Sequence, residues 1–74
     1  MSKLPVLSGK EVVRFFLKRG YIIDHQTGSH IILRKEGNPP KRLTVPNHPE
    51  IAKGTLLAII KQSGIPREDF IKEF

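Results

Sequence analysis

Seventy-four residues leave room for one small unit with a modest core, so residues 1–74 are read as a single domain. The chain has no cysteine, which excludes disulfides and thiolate metal sites. Thirteen Lys and Arg against seven Asp and Glu give a net charge of +6 and a pI near 10.1, which favours a polyanionic partner: nucleic acid first, acidic protein second, anionic membrane third.

Residues 1–7 form an irregular arm, because Pro5 resists helix. The arm holds no apolar stretch long enough for a signal peptide or a membrane span, so no membrane association is expected and a cytoplasmic location is. Ser8-Gly9-Lys10-Glu11 is a capping box, with Leu7 and Val12 as the two ends of a hydrophobic staple. The helix it opens places Val12, Val13, Phe16 and Leu17 on one apolar face and stops at Gly20. Arg14, Lys18 and Arg19 fall mostly on the other side, and Phe15 lies off the stripe, either as flanking core or at an interface.

Tyr21–Gln26 reads as a strand from its β-branched and aromatic content. Thr27-Gly28 turns the chain, and His30–Arg34 make a second strand. A two-residue loop of Thr27 and Gly28 sets Gln26 against Ser29 and His25 directly opposite His30. A wider loop stays open, since Thr is a poor residue for positive φ. Lys35–Pro40 is rich in breakers and forms the next turn. Lys41–Val45 is a third strand, closed by Pro46. Asn47–Ala52 is a loop constrained by Pro46 and Pro49. Leu56, Leu57, Ile59, Ile60 and Ser63 fit a helix buried on more than one side and ended by Gly64. Pro66 opens a short terminal helix as its first residue. The apolar edge of that helix, Phe70, Ile71 and Phe74, either finishes the core or awaits another chain. The expected fold is α+β: α-β-β-β-α, with helices on one face of a three-stranded antiparallel sheet, plus the terminal helix.

Several segments together resemble HicA-type toxins. They are Lys18-Arg19-Gly20-Tyr21, Gln26-Thr27-Gly28-Ser29-His30, Leu43-Thr44-Val45-Pro46, His48-Pro49, Lys53-Gly54-Thr55-Leu56 and Ile59–Gly64. The resemblance covers roughly residues 8–65. It implies a double-stranded-RNA-binding-domain-like fold, metal-independent cleavage of mRNA, and neutralisation by a HicB-type antitoxin. It also implies a catalytic histidine at His30. Many members carry a different basic residue at the position of His25, and residues 66–74 look less typical.

Cleavage of RNA without a metal needs a base for the 2′-OH, positive groups around the phosphate and an acid for the leaving oxygen. RNA supplies its own nucleophile. Histidine titrates near neutrality, and Gly28 mounts His30 at the start of a rigid strand, so His30 is the candidate base. His25 is a candidate acid or phosphate contact, or a solvated strand residue. Ser29 bonds RNA or stabilises the turn, with the turn role preferred. His48 is structural, or at the rim of the site. Lys53-Gly54-Thr55, opening a helix with free N–H groups, is a candidate phosphate site. Lys35, Lys41 and Arg42 are candidate phosphate contacts that would add salt-dependent affinity without sequence choice. Each of these also reads as ordinary surface charge.

No metal site is expected, since only Asp24 and Glu50 lie near His25, His30 and His48 in sequence. There is no phosphate-binding or dinucleotide motif and no cofactor is expected. Tyr21 and the four phenylalanines do not form a paired aromatic strand motif for base stacking. The sequence therefore reads as a toxin endoribonuclease. The alternatives are a non-catalytic RNA-binding module of the same fold, and a protein-interaction domain that docks through Phe70, Ile71 and Phe74.

Overall fold

The computed structural model describes residues 4–74; the first three residues of the arm lie outside the described residues. Six elements follow one another: α1 (Gly9–Leu17), β1 (Ile22–Thr27), β2 (His30–Lys35), β3 (Lys41–Pro46), α2 (Lys53–Ser63) and α3 (Arg67–Glu73). The strands form one open antiparallel sheet in the order β1-β2-β3. This is the expected α+β arrangement, with the terminal helix present.

The capping box forms at α1. The Ser8 hydroxyl accepts from the Glu11 N–H at 3.2 Å, and the Glu11 carboxylate accepts from the Ser8 N–H at 2.9 Å. Two of the helix's unpaired donors are satisfied reciprocally. Val12, Val13, Phe15 and Phe16 are buried, while Leu17, placed on the apolar face by its spacing, is 42% exposed. Gly20, at φ +94°, turns the chain toward β1.

Phe15 is flanking core because α3 covers it. Its ring centroid lies 4.5 Å from that of Phe70, and the Arg19 guanidinium sits 3.7 Å over its ring centroid. Glu73 accepts from Lys18 Nζ and from Arg19 Nη2, each at 3.2 Å, tying α3 to the end of α1. Phe70 completes the core at 1% exposure, Ile71 is half-buried, and Phe74 stays largely exposed. Pro66 is the residue before α3, not its first helical residue as expected; its extended ψ of 139° keeps it out of the helix.

One face of the sheet is buried. Ile31 and Leu33 of β2 and Leu43 and Val45 of β3 join Val12 and Phe16 of α1 and Leu56, Ile59 and Ile60 of α2 in the core. Alternation along the strands puts His30, Ile32 and Arg34 of β2, with Arg42 and Thr44 of β3, on the opposite, open face. Lys41 Nζ donates to the Ser63 carbonyl at 2.8 Å, which sets the end of α2 beside the start of β3. The first turn of α2 therefore returns toward the end of β3, where the hairpin turn of β1 and β2 also lies.

The hairpin register differs from the expected one. Thr27, not Gln26, is the last paired residue of β1, and it pairs with His30. The loop is Gly28-Ser29, with φ +52° at Gly28 and no positive φ at Ser29. Glycine at the first central position is what a type II′ turn requires, and Thr27 is left in the strand that suits a β-branched residue. His25 consequently faces Ile32 rather than His30.

Candidate active site

His30 opens β2 immediately after the turn. It is exposed on the open face of the sheet, between Thr27 on β1 and Pro46 on β3. Backbone hydrogen bonds brace this end of the molecule. The Ser29 carbonyl accepts from the Asn47 N–H at 2.6 Å, and the His48 carbonyl accepts from the Gly9 N–H at 2.9 Å. The turn, the loop after β3 and the first turn of α1 are thus linked, and His30 stands on a fixed mount. A groove of about 340 Å³, lined by Ser8, Lys10, Asn47, His48 and Pro49, runs along this linkage.

His25 lies on the same face as His30, diagonally across the β1–β2 pair. Diagonal neighbours stand roughly 7–8 Å apart, within reach of two imidazoles and a group between them. The β1 register shifts between Ile23 and His25, which makes Asp24 the extra residue of a bulge. Its carboxylate collects three basic side chains of the open face. His25 Nδ1 lies 2.7 Å from Oδ2, Arg34 Nε donates to Oδ1 at 3.3 Å, and Arg42 Nη2 is 4.0 Å from Oδ2. The His25 hydrogen bond first, then that of Arg34 and the charges of His25 and Arg42, hold the Asp24 carboxyl below the usual carboxylate value. Arg34 also pairs with Glu36.

The open face therefore carries His30, then His25 beside Ile32, then Arg34 beside Arg42, over roughly 13 Å of β2 at about 3.3 Å per residue. Of the cations singled out in the sequence, Arg42 is on this face. Lys35 and Lys41 are not: they pair with each other at the far end of the sheet and turn to its helix side. Lys35 Nζ lies 5.6 Å from the Tyr21 ring centroid, and Lys41 closes the end of α2. Lys53, Gly54 and Thr55 are exposed in the first turn of α2, which follows Ala52 with no side-chain cap and holds no acidic residue. Ser29 meets the site through its backbone, and His48 is held by its carbonyl. Sequence reasoning missed Asp24 and Arg34. Arg34 carried a signal, since it lies an even number of residues from His30 on one strand and so shares its face. The bulge at Asp24 carried none.

The sequence model of the family described as the HicA toxin of bacterial toxin-antitoxin matches residues 9–65, more than half of the chain. This chain belongs to the HicA toxin family. It is the toxin of a toxin–antitoxin pair, and an antitoxin partner follows from that membership. Comparison with curated proteins and with solved structures finds no match. The HicA match takes in all three strands, α1 and α2, and therefore His30 and every cation of the open face; α3 lies beyond it. Among the described residues, no helix is long and apolar enough to cross a membrane.

Proposed function

We propose that this HicA toxin is an mRNA interferase: a metal-independent endoribonuclease in which His30 is the general base. The observation that carries this reading is the position of His30. Its imidazole is exposed on a rigid strand end, on the same sheet face as Arg34, Arg42 and His25. An RNA strand lying along that face meets guanidinium groups suited to phosphate oxygens, while His30 takes the proton of a ribose 2′-OH. The 2′ oxygen then attacks the adjoining phosphorus, and no protein nucleophile is needed. Lys53, Gly54 and Thr55, at the free N–H groups of α2, are candidates to hold a further phosphate. Ser29 serves the turn.

The substrate places the activity in the cytoplasm, and residues 1–74 act as one domain. The antitoxin is of the HicB type and comparatively acidic, because covering a face of this charge requires a complement. Wild type and His30→Ala, expressed and purified, test the reading through growth, transcript integrity and RNA cleavage with and without EDTA. A correctly placed base contributes about 10²–10⁴ in rate, so His30→Ala abolishes toxicity with the fold intact. Cleavage lost only in the variant, and insensitive to EDTA in the wild type, supports the nuclease. Equal RNA binding without cleavage by either protein leaves a non-catalytic RNA-binding module. Neither binding nor cleavage leaves a protein-interaction domain, although Phe70, on the buried face of α3 against Phe15, is not available to dock a partner.

A further inference from the structure

We propose that His25 is the general acid of the cleavage and that Asp24 is the residue that positions it; this rests on the nuclease reading of His30. Three observations converge on this pair. His25 shares the open face with His30 and lies diagonal to it, so the two rings flank one phosphodiester group rather than touch. The His25 ring is held in place, with Nδ1 2.7 Å from Asp24 Oδ2. The β1 bulge supplies that carboxylate, since the extra residue brings Asp24 beside His25 and Arg34 together.

The hydrogen bond settles which nitrogen is free. The ionised Asp24 carboxylate only accepts, so Nδ1 carries the hydrogen and donates it. Nε2 is then the nitrogen left to face the substrate, and the side chain is 52% exposed. Arg34 and Arg42 approach the same carboxylate from β2 and β3 and stay on the face where phosphate oxygens would lie. His48 has no comparable arrangement, being fixed through its backbone in the loop after β3.

The reaction balances with these groups alone. His30 accepts the 2′-OH proton, the 2′ oxygen bonds to phosphorus, and the bond from phosphorus to the 5′ oxygen breaks. His25, protonated at Nε2, gives that proton to the departing 5′ oxygen. The products are a 2′,3′-cyclic phosphate and a 5′-hydroxyl, and no co-reactant is consumed.

The test compares an RNA that the toxin cuts with the same RNA carrying sulfur in place of the 5′ oxygen at the mapped cut site. A thiolate leaves without a proton, so the sulfur substrate does not need the acid. His25→Ala is expected to lower cleavage of ordinary RNA by about 10²–10⁴-fold and that of the sulfur substrate by less than about tenfold. His30→Ala loses both. Asp24→Ala lowers cleavage of ordinary RNA by about 10–100-fold, the range for groups that orient an imidazole, and adds nothing further in the His25→Ala background. Equal losses for His25→Ala on the two substrates, or no loss on either, overturn the proposal while leaving His30 as the base. A wild-type protein that cuts neither substrate overturns the nuclease reading, and this proposal with it. Retained cleavage of the sulfur substrate also shows that the His25→Ala protein is folded, and circular dichroism shows the same for His30→Ala.

Discussion

Lys41 Nζ donates to the carbonyl oxygen of Ser63 at 2.8 Å, so the first residue of β3 closes the last turn of α2. Ser63 is the last residue of α2, so its carbonyl has no i+4 amide within the helix to accept from, and a cation there also complements the negative end of the helix dipole. Lys41→Met is therefore expected to lower unfolding stability by about 1 kcal/mol, measured by urea denaturation. RNA cleavage at fixed salt should be unchanged, because the ammonium group lies on the helix side of the sheet. A loss of RNA affinity matching that of Arg42→Met would contradict this assignment.

Gly9 has no room for a side chain. A Cβ there would overlap the Pro46 carbonyl oxygen and come within 2.9 Å of Asn47 Cα, and both are backbone atoms that cannot swing aside. Gly9→Ala must push α1 away from the loop that braces the His30 turn. The expected cost is about 1–3 kcal/mol, with cleavage falling as well, and a melting curve beside an activity assay shows both.

Phe70 lies outside the segment matched by the HicA family, yet it is 1% exposed and rests on Phe15. Phe70→Ala should cost about 3–5 kcal/mol, a large share of the 5–15 kcal/mol typical of a whole domain. Thermal unfolding followed by circular dichroism would show a melting point at least about 10 °C lower. An unchanged melting point would mean that α3 does not dock.

Glu73 gives the fold an acid-sensitive clasp. Its hydrogen bonds to Lys18 and then Arg19, with the charges of both, hold its carboxyl below the ordinary value of 4.5. A carboxyl lowered in the folded state contributes stability that is fully present above its unfolded value. That contribution is lost as pH falls through the lower, folded value. Stability should thus decline below about pH 4.5, and Glu73→Gln should flatten part of that decline. Because the group is exposed, salt should weaken the effect at neutral pH.

The helices were legible because their ends carry local chemistry. Ser8 and Glu11 announce the start of α1, and Gly64 the end of α2, whatever the rest of the chain does. The strands were legible from β-branched runs, but their register was not. Gly28 sits in the turn in either alignment, and only the demand for positive φ at the first central residue decides that Ser29 completes the loop. The two alignments differ by two residues, which leaves His25 and His30 on one face yet moves them from opposite to diagonal. Lys35 and Lys41 were judged by charge, whereas strand parity decides the face on which they lie. The role of α3 turned on Phe15, whose place off the apolar stripe of α1 made sense only once a third helix covered it.

The bulge at Asp24 has a bearing on how the toxin behaves at high concentration. β1 is an outer strand, and it exposes Ile22 and Ile23 beside peptide groups that no neighbouring strand pairs among the described residues. A regular strand of that kind would template the addition of another chain, copy upon copy. The extra residue interrupts the spacing of those peptide groups one position after Ile23 and sets a carboxylate at the break, so an incoming strand loses its alignment within a few residues.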